Sequence, residues 1–444
     1  MTNLKVNIKE ENAWAMYDWA NSSYPLVITT AIFPLFYIAV TSGNTEIING
    51  NEADMVTFFG YKFVNTALYS YITAAAFLVV SFISPILSGV ADYVGNKKLF
   101  LSVFCYIGSA SCMGLFFFDA NFLELSMFLP FFASIGYWGS MVFYNAYLPE
   151  IAPPEEHDRI SAKGFTFGYV GSVILLVANL IGIQVFGMPA KFAFITVGLW
   201  WAGFAQIALH RLPSNPYNHK IQKNDRIFKK GFDEIQTVFR QLKHQIPLKR
   251  FLSAYFVYNM GVQTVMLTAI LFANKEISWP LNAETGLPDT AGLIIAIIII
   301  QLVASVGAYV MSKLSNNIGN IMVLKIVVGL WVSLCISAYF ITTPFEFYCL
   351  AAFVGFVMGG IQSMSRSTYS KILPNTEDHA SYFSFYDVAE KIGIVLGTLA
   401  FGYIEDFTGS MRSSVLVLIV FFVVGFILLQ FIPKVKALES KRGS

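Results

Sequence analysis

Charged residues are scarce in this chain. Asp, Glu, Lys and Arg make up 13% of its 444 residues, against 56% hydrophobic residues and a mean hydropathy of +0.61. A soluble chain of this length carries about 25% charged residues, so a water-soluble globular protein is excluded and a polytopic membrane protein is indicated. Cysteine is also rare, with four residues (Cys105, Cys112, Cys335 and Cys349) that all fall in apolar stretches. They read as packing residues rather than a disulfide or metal set. The five histidines (His157, His210, His219, His244 and His379) are scattered through hydrophilic segments and make no metal site, and no cofactor is expected. The H-E-x-x-H, G-x-S-x-G and P-loop patterns are all missing, which argues against an enzyme. A net charge of +2 gives no basis for a nucleic-acid partner. Met1–Asn12 has no short apolar region with a cleavage site and reads as a tail rather than a signal peptide.

Long apolar runs dominate what remains. A span needs about 20 apolar residues. Twelve segments meet that length, at 13–40, 61–91, 98–118, 123–147, 160–186, 191–211, 250–274, 290–312, 320–342, 345–370, 380–404 and 413–433. The expected fold is an all-α membrane protein with twelve transmembrane helices in two six-helix lobes: residues 1–211, a basic linker at 212–249, and residues 250–444. With the N-terminus inside, all Lys and Arg except Lys62, Lys191, Lys275, Lys391 and Arg412 fall on the inner side. Both termini are therefore expected in the cytoplasm. In the linker, Phe228, Phe232, Ile235, Phe239 and Leu242 recur at helical spacing among Lys229, Lys230, Arg240 and Lys243. That pattern describes a basic amphipathic helix at the membrane surface.

The halves also look duplicated. Pro154, Asp158, Ser161 and Phe165 recur at a shift of 220 residues as Pro374, Asp378, Ser381 and Phe385. Together with the six-plus-six hydropathy, this suggests a parallel repeat.

Charge inside the spans points to transport. Asp18 lies in the first apolar stretch, where a carboxylate costs at least ~2.5 kcal/mol unless it faces protein or water. It reads equally as a gate and as a central binding or proton site. Asp387, Glu390 and Lys391 share one helix face, on which Asp387 can pair with Lys391 and Glu390 leaves the cluster acidic. Tyr17, Asn21, Tyr144, Asn145, Tyr258, Asn259, Gln263 and Gln362 are further polar candidates for substrate or ion contact. Arg366 is placed to pair with Asp18, Asp92 or Glu150 in one conformation and release it in another. Pro25 and Pro34 should interrupt the first span. Gly164, Gly168 and Gly171, and Gly393 and Gly397, should allow close helix approach.

The turn Gly89-Val90-Ala91-Asp92-Tyr93-Val94-Gly95-Asn96-Lys97-Lys98 resembles the loop signature of the major facilitator superfamily, which gives Gly89, Asp92, Gly95, Lys97 and Lys98 a gating role. The lysines are expected near the anionic membrane surface. The corresponding turn of the second half has Asn316 in place of the acid. A narrower resemblance, to the vacuolar amino-acid effluxer branch, rests on Ala13-Trp14-Ala15-Met16-Tyr17-Asp18-Trp19-Ala20-Asn21-Ser22, Tyr144-Asn145-Ala146-Tyr147-Leu148-Pro149, Tyr258-Asn259-Met260-Gly261-Val262-Gln263-Thr264, Gly359-Gly360-Ile361-Gln362-Ser363-Met364-Ser365-Arg366-Ser367 and Phe385-Tyr386-Asp387-Val388. Met260 and Glu390 depart from that pattern, where an acid and a small residue are expected. The resemblance implies a secondary transporter working by alternating access, with neutral amino-acid export as the best-known activity. Proton coupling through Asp18, Asp387 or Glu390 is a hypothesis. An exporter of drugs or other amphipathic molecules, and a non-transporting receptor, stay open as alternatives. The expected partners are the lipid bilayer, a small-molecule substrate and protons, with the chain a monomer. Its expected home is a bacterial inner membrane, with a vacuolar-type membrane second.

Overall fold

The computed structural model describes residues 5–48, 51–214, 227–280 and 291–433. His219 and the rest of the linker's first part, like the ends of both tails, lie outside the described residues. Helices account for nearly all of the described chain. They are α1 (Ile8–Asn21), α2 (Phe33–Thr41), α3 (Asn65–Val94), α4 (Lys97–Gly114), α5 (Leu123–Ala146), the short α6 (Leu148–Ile151), α7 (His157–Gln184) and α8 (Phe192–Arg211). After the linker helix α9 (Ile227–His244) come α10 (Ile246–Glu276), α11 (Ala291–Ile318), α12 (Asn320–Phe340), α13 (Pro344–Ile372), α14 (His379–Thr408) and α15 (Met411–Gln430).

Among the described residues, eleven helical stretches are long and apolar enough to cross a membrane, with α1 and α2 counted as one. The twelfth, α14, is 30 residues long and packs among them against α3, α10 and α15. Its apolarity is diluted by Asp387, Glu390 and Lys391. The two halves meet along α3 with α14 and along α7 with α11 and α13.

The first span is continuous but not uniform. Between α1 and α2 the chain runs as a π-helix over Tyr24–Ile32. Pro25 has no amide hydrogen to give to the ladder, and its carbonyl accepts from Thr29 Oγ1 (2.6 Å) and Thr30 Oγ1 (2.8 Å). The interruption expected at Pro25 and Pro34 therefore takes the form of a wider helical register. Where α1 crosses α7, a Cβ on Gly164 would meet Trp14, Asp18 and Arg366, and one on Gly171 would meet Trp19. Only a side chain of hydrogen lets these backbones approach so closely.

Three expectations need correction. The second span starts at Asn65, not at residue 61, because β1 (Thr45–Ile48), β2 (Asn51–Phe58) and β3 (Tyr61–Val64) form an antiparallel three-stranded sheet before it. Phe59 and Gly60, both at positive φ, turn the chain between β2 and β3. The Phe59 amide donates to Glu124 at 3.0 Å and so ties the sheet to α5. Cys349 is exposed on α13, whereas the other three cysteines are buried. Finally, α9 does more than lie at a membrane surface. It buries Gly231, Ile235 and Val238 against protein and leaves Phe228, Phe232 and Phe239 exposed on its flank.

Candidate functional site

Asp18 sits one turn from the end of α1, facing α5, α7 and α13. Its Oδ2 accepts from Tyr144 Oη at 2.7 Å and from both terminal nitrogens of Arg366 at 3.2 Å. Arg366 further donates from Nε to Ser161 Oγ (3.0 Å), from Nη2 to the Ser161 carbonyl (2.9 Å) and from Nη1 to Asn145 Oδ1 (3.4 Å). Its guanidinium lies 4.0 Å from the Phe165 ring centre and 4.7 Å from that of Trp14. Trp14 is itself held by stacking on Tyr144 (4.5 Å) and by donating to the Tyr144 carbonyl (2.9 Å). Arg366 is 2% exposed and Asp18 3%. Of the three partners expected for Arg366, the structure selects Asp18. The fixed fork of the guanidinium, fully engaged, joins α1 and α7 of the first half to α13 of the second.

The turn between α3 and α4 makes a second cross-half lock. Gly95 adopts the left-handed conformation (φ 72°) that ends α3, and Asn96 caps α4 by accepting from the Leu99 amide at 3.1 Å. Asp92 then points at the start of α14, accepting from the Ser381 amide (2.7 Å) and the Ala380 amide (3.3 Å). A carboxylate at a helix N-terminus meets free N–H groups and a favourable dipole. Lys97 lies between Asp92 (3.3 Å) and Glu150, with which it also pairs, and Glu150 receives His379 at 3.0 Å. Lys97 is therefore not a surface lysine, as its place in the turn suggests; it is 4% exposed and neutralises two buried acids. Lys98 donates to the Leu212 carbonyl (2.8 Å) and to Ser214 (3.2 Å), tying the turn to the end of α8. Gly89 makes room for the linker helix, since a Cβ there would strike the Gly231 carbonyl of α9.

A third lock was not singled out as a site from sequence. Asp158, at the start of α7, accepts from Asn320 (2.6 Å), Ser315 (2.7 Å) and Lys371 (2.6 Å) of the second half. Asn316 stands exposed where the first half has its acid, and the carboxylate comes from the opposite half instead. The recurrence of Asp158 as Asp378 in the repeat was the available signal.

Deeper in the membrane, Asp387 pairs with Lys391, as their spacing requires, and the Lys391 ammonium lies 4.3 Å from the Trp138 ring centre of α5. Glu390 accepts from Gln263 at 2.8 Å, and Gln263 reaches Asn259 at 3.5 Å. The other candidates are dispersed around these groups. Tyr258 bonds Ser365 (2.7 Å), and Tyr169 donates to Gln362 (2.5 Å), whose amide reaches Met266. Asn21 contacts Met141. The Tyr17 hydroxyl is buried without a hydrogen-bond partner, its ring 5.1 Å from Tyr144.

At the linker end of the bundle, α9 spans the junction. It packs on α3 and α14, with Phe239 stacked on Phe385 (5.9 Å) and Tyr382 donating to Gln241 (2.9 Å). Glu234 on this helix is pushed up to about 7, first by burial and then by the neighbouring carboxyls of Asp378 and Asp92.

This arrangement of spans and cross-half contacts is that of a major facilitator superfamily transporter. The crystal structure of the transporter FucP in the outward conformation superposes with a TM-score of 0.68 at 16% identity, covering 96% of this chain and 99% of that one. The human organic anion transporter MFSD10 gives 0.69 at 12% identity, covering 95% and 99%. Residues 7–442 match the family described as vacuole effluxer Atg22 like, and the chain belongs to that family. It is 30% identical to the uncharacterized MFS-type transporter YxiO of Bacillus subtilis over 96% of its own length and 95% of the relative's. It is 25% identical to autophagy-related protein 22-1 of Penicillium rubens over 83% and 75% of the two chains.

Proposed function

We propose that this chain is a secondary carrier that exports neutral amino acids by alternating access, coupled to protons, and acts as a monomer. The observation that carries this reading is the Asp18–Arg366 pair between the halves, flanked by the Asp92 and Asp158 locks. All three lie at the linker end of the bundle. Ion pairs and helix-end contacts of this kind can be made in one arrangement of the lobes and released in another, which alternation requires. The family, described as vacuole effluxer Atg22 like, supports export. Asp18, Asp387 and Glu390 supply the interior carboxylates a proton path needs. The distribution of basic residues favours a cytoplasmic linker end, and the bacterial relative supports a bacterial inner membrane.

Counterflow in proteoliposomes tests this. Vesicles preloaded with unlabelled leucine or tyrosine, with the labelled amino acid outside, should accumulate label at two pH values. Accumulation should be lost in Asp18→Asn or Asp387→Asn. Folded protein that shows no counterflow with any amino acid would remove the substrate assignment. Transport in Asp→Asn and Glu→Gln variants that matches wild type across a pH series would remove the coupling.

A further inference from the structure

The three interior carboxylates are not equivalent. Asp18 has Arg366 and Asp387 has Lys391. Among the described residues, Glu390 shares its cation: Lys391 is 3.7 Å away and already engaged by Asp387. Glu390 lies eleven residues into α14, roughly 16 Å along the helix at 1.5 Å per residue, about half of a ~30 Å hydrocarbon core. Two carboxylates sharing one cation at that depth leave a charge that must meet a further counter-charge or water.

The direction Glu390 faces is set by the helix. Ile392, Leu396, Leu399 and Tyr403 form the exposed stripe of α14. At about 100° per residue, Glu390 lies on the opposite side. It nevertheless keeps 18% of its side-chain surface accessible, whereas Asp387 keeps 4% and Lys391 none. An accessible group that turns away from lipid lines a space inside the protein. Gln263 gives its amide hydrogen to Glu390, so its carbonyl oxygen remains as an acceptor beside the carboxylate. Asn259, 4% exposed, has its Nδ2 donor buried next to Gln263 without a partner among the described residues. From the other half, the Trp138 ring face holds the Lys391 ammonium, which Asp387 also engages.

We propose that Glu390, with Gln263, is the recognition site for a substrate's aliphatic ammonium group. An ammonium needs oxygen acceptors. A divalent metal fits less well: among the described residues no three His, Cys, Asp or Glu gather there. The free Asn259 amide supplies the donor that the carboxylate of an α-amino acid requires. The proposal rests on the transport reading above and deepens it.

The test uses reconstituted full-length protein, with labelled leucine carried in counterflow against three unlabelled competitors. Leucinamide keeps the ammonium, 4-methylpentanoate lacks it, and tyramine is an amine without a carboxylate. Leucinamide and tyramine should compete, and 4-methylpentanoate should not. Glu390→Gln should raise the leucine KM at least tenfold, and Gln263→Leu should shift it the same way. A leucine KM in Glu390→Gln that stays within twofold of wild type, in protein melting as wild type does, overturns the proposal. So does equal competition by 4-methylpentanoate. If Glu390→Gln does not fold, Gln263→Leu and the competitor series decide. If wild type carries tyramine but no amino acid, and Glu390→Gln loses tyramine, the ammonium site stands and the amino-acid assignment falls. If it carries a substrate without any amine, the ammonium site falls while the transporter reading stands.

Discussion

Asp18 and Arg366 meet across the boundary between the two halves, one carboxylate oxygen taking both terminal guanidinium nitrogens at 3.2 Å. Neither group has water to fall back on. Removing one member of such a buried pair costs about 3–5 kcal/mol, because the other charge stays buried without compensation.

Asp18→Asn should therefore loosen the linker end more than Asp18→Asn/Arg366→Gln does, since the double variant leaves no stranded charge. Two readouts should agree: a lower melting temperature, and faster thiol labelling of a cysteine placed at the buried Ser363. Cys349 is exposed and must first be replaced by alanine. An Asp18→Asn protein with wild-type melting and labelling would show that the pair does not hold this end closed.

Gly89 is the place where the α3–α4 turn touches the linker. A Cβ there meets the Gly231 carbonyl, and one on Gly231 meets the backbone and side chain of Val90. Backbone cannot swing aside as a long side chain can. Gly89→Ala should undock α9 locally, at about 1–3 kcal/mol for overpacking of this kind. Hydrogen exchange of the α9 amides should rise selectively. Gly203→Ala, where a Cβ meets nothing within 4 Å, is the control and should leave exchange unchanged. Equal exchange in the two variants would mean that α9 is not held through this contact.

The spans were legible because membrane length and apolarity are local properties of sequence. The Asp387–Lys391 pair was legible because helical spacing alone brings the two together. Asp158 was not: its partners Ser315, Asn320 and Lys371 lie in the other half, and only tertiary packing sets them around it. Lys97 was misread for the same reason, because the acid that buries it, Glu150, comes from the far end of α5 and α6. The sheet over 45–64 was hidden by apolar residues that continue the hydropathy of the next span. On α9, periodicity identified the helix, but a small residue, Gly231, rather than the phenylalanines, marks its docked face.

Glu234 gives the linker helix a dependence on pH. Its carboxyl titrates near 7 in the folded protein against an ordinary value of 4.5, because burial and the acids Asp378 and Asp92 all disfavour its charge. The groups around Asp92 are Lys97, Glu150 and His379, and their positive members are already shared with acids. A raised carboxyl binds its proton more tightly in the docked state than in the undocked one. Its stabilisation of docking is thus complete below about 4.5 and lost as pH rises through about 7. Between about pH 5 and 7 the α9 amides should lose protection against hydrogen exchange. Measuring Glu234→Gln at the same pH values cancels the intrinsic pH dependence of exchange. In that variant α9 should stay docked throughout, with Phe239 on Phe385 and Gln241 on Tyr382 as the contacts that remain. Equal loss of protection in wild type and Glu234→Gln would place the titrating group elsewhere.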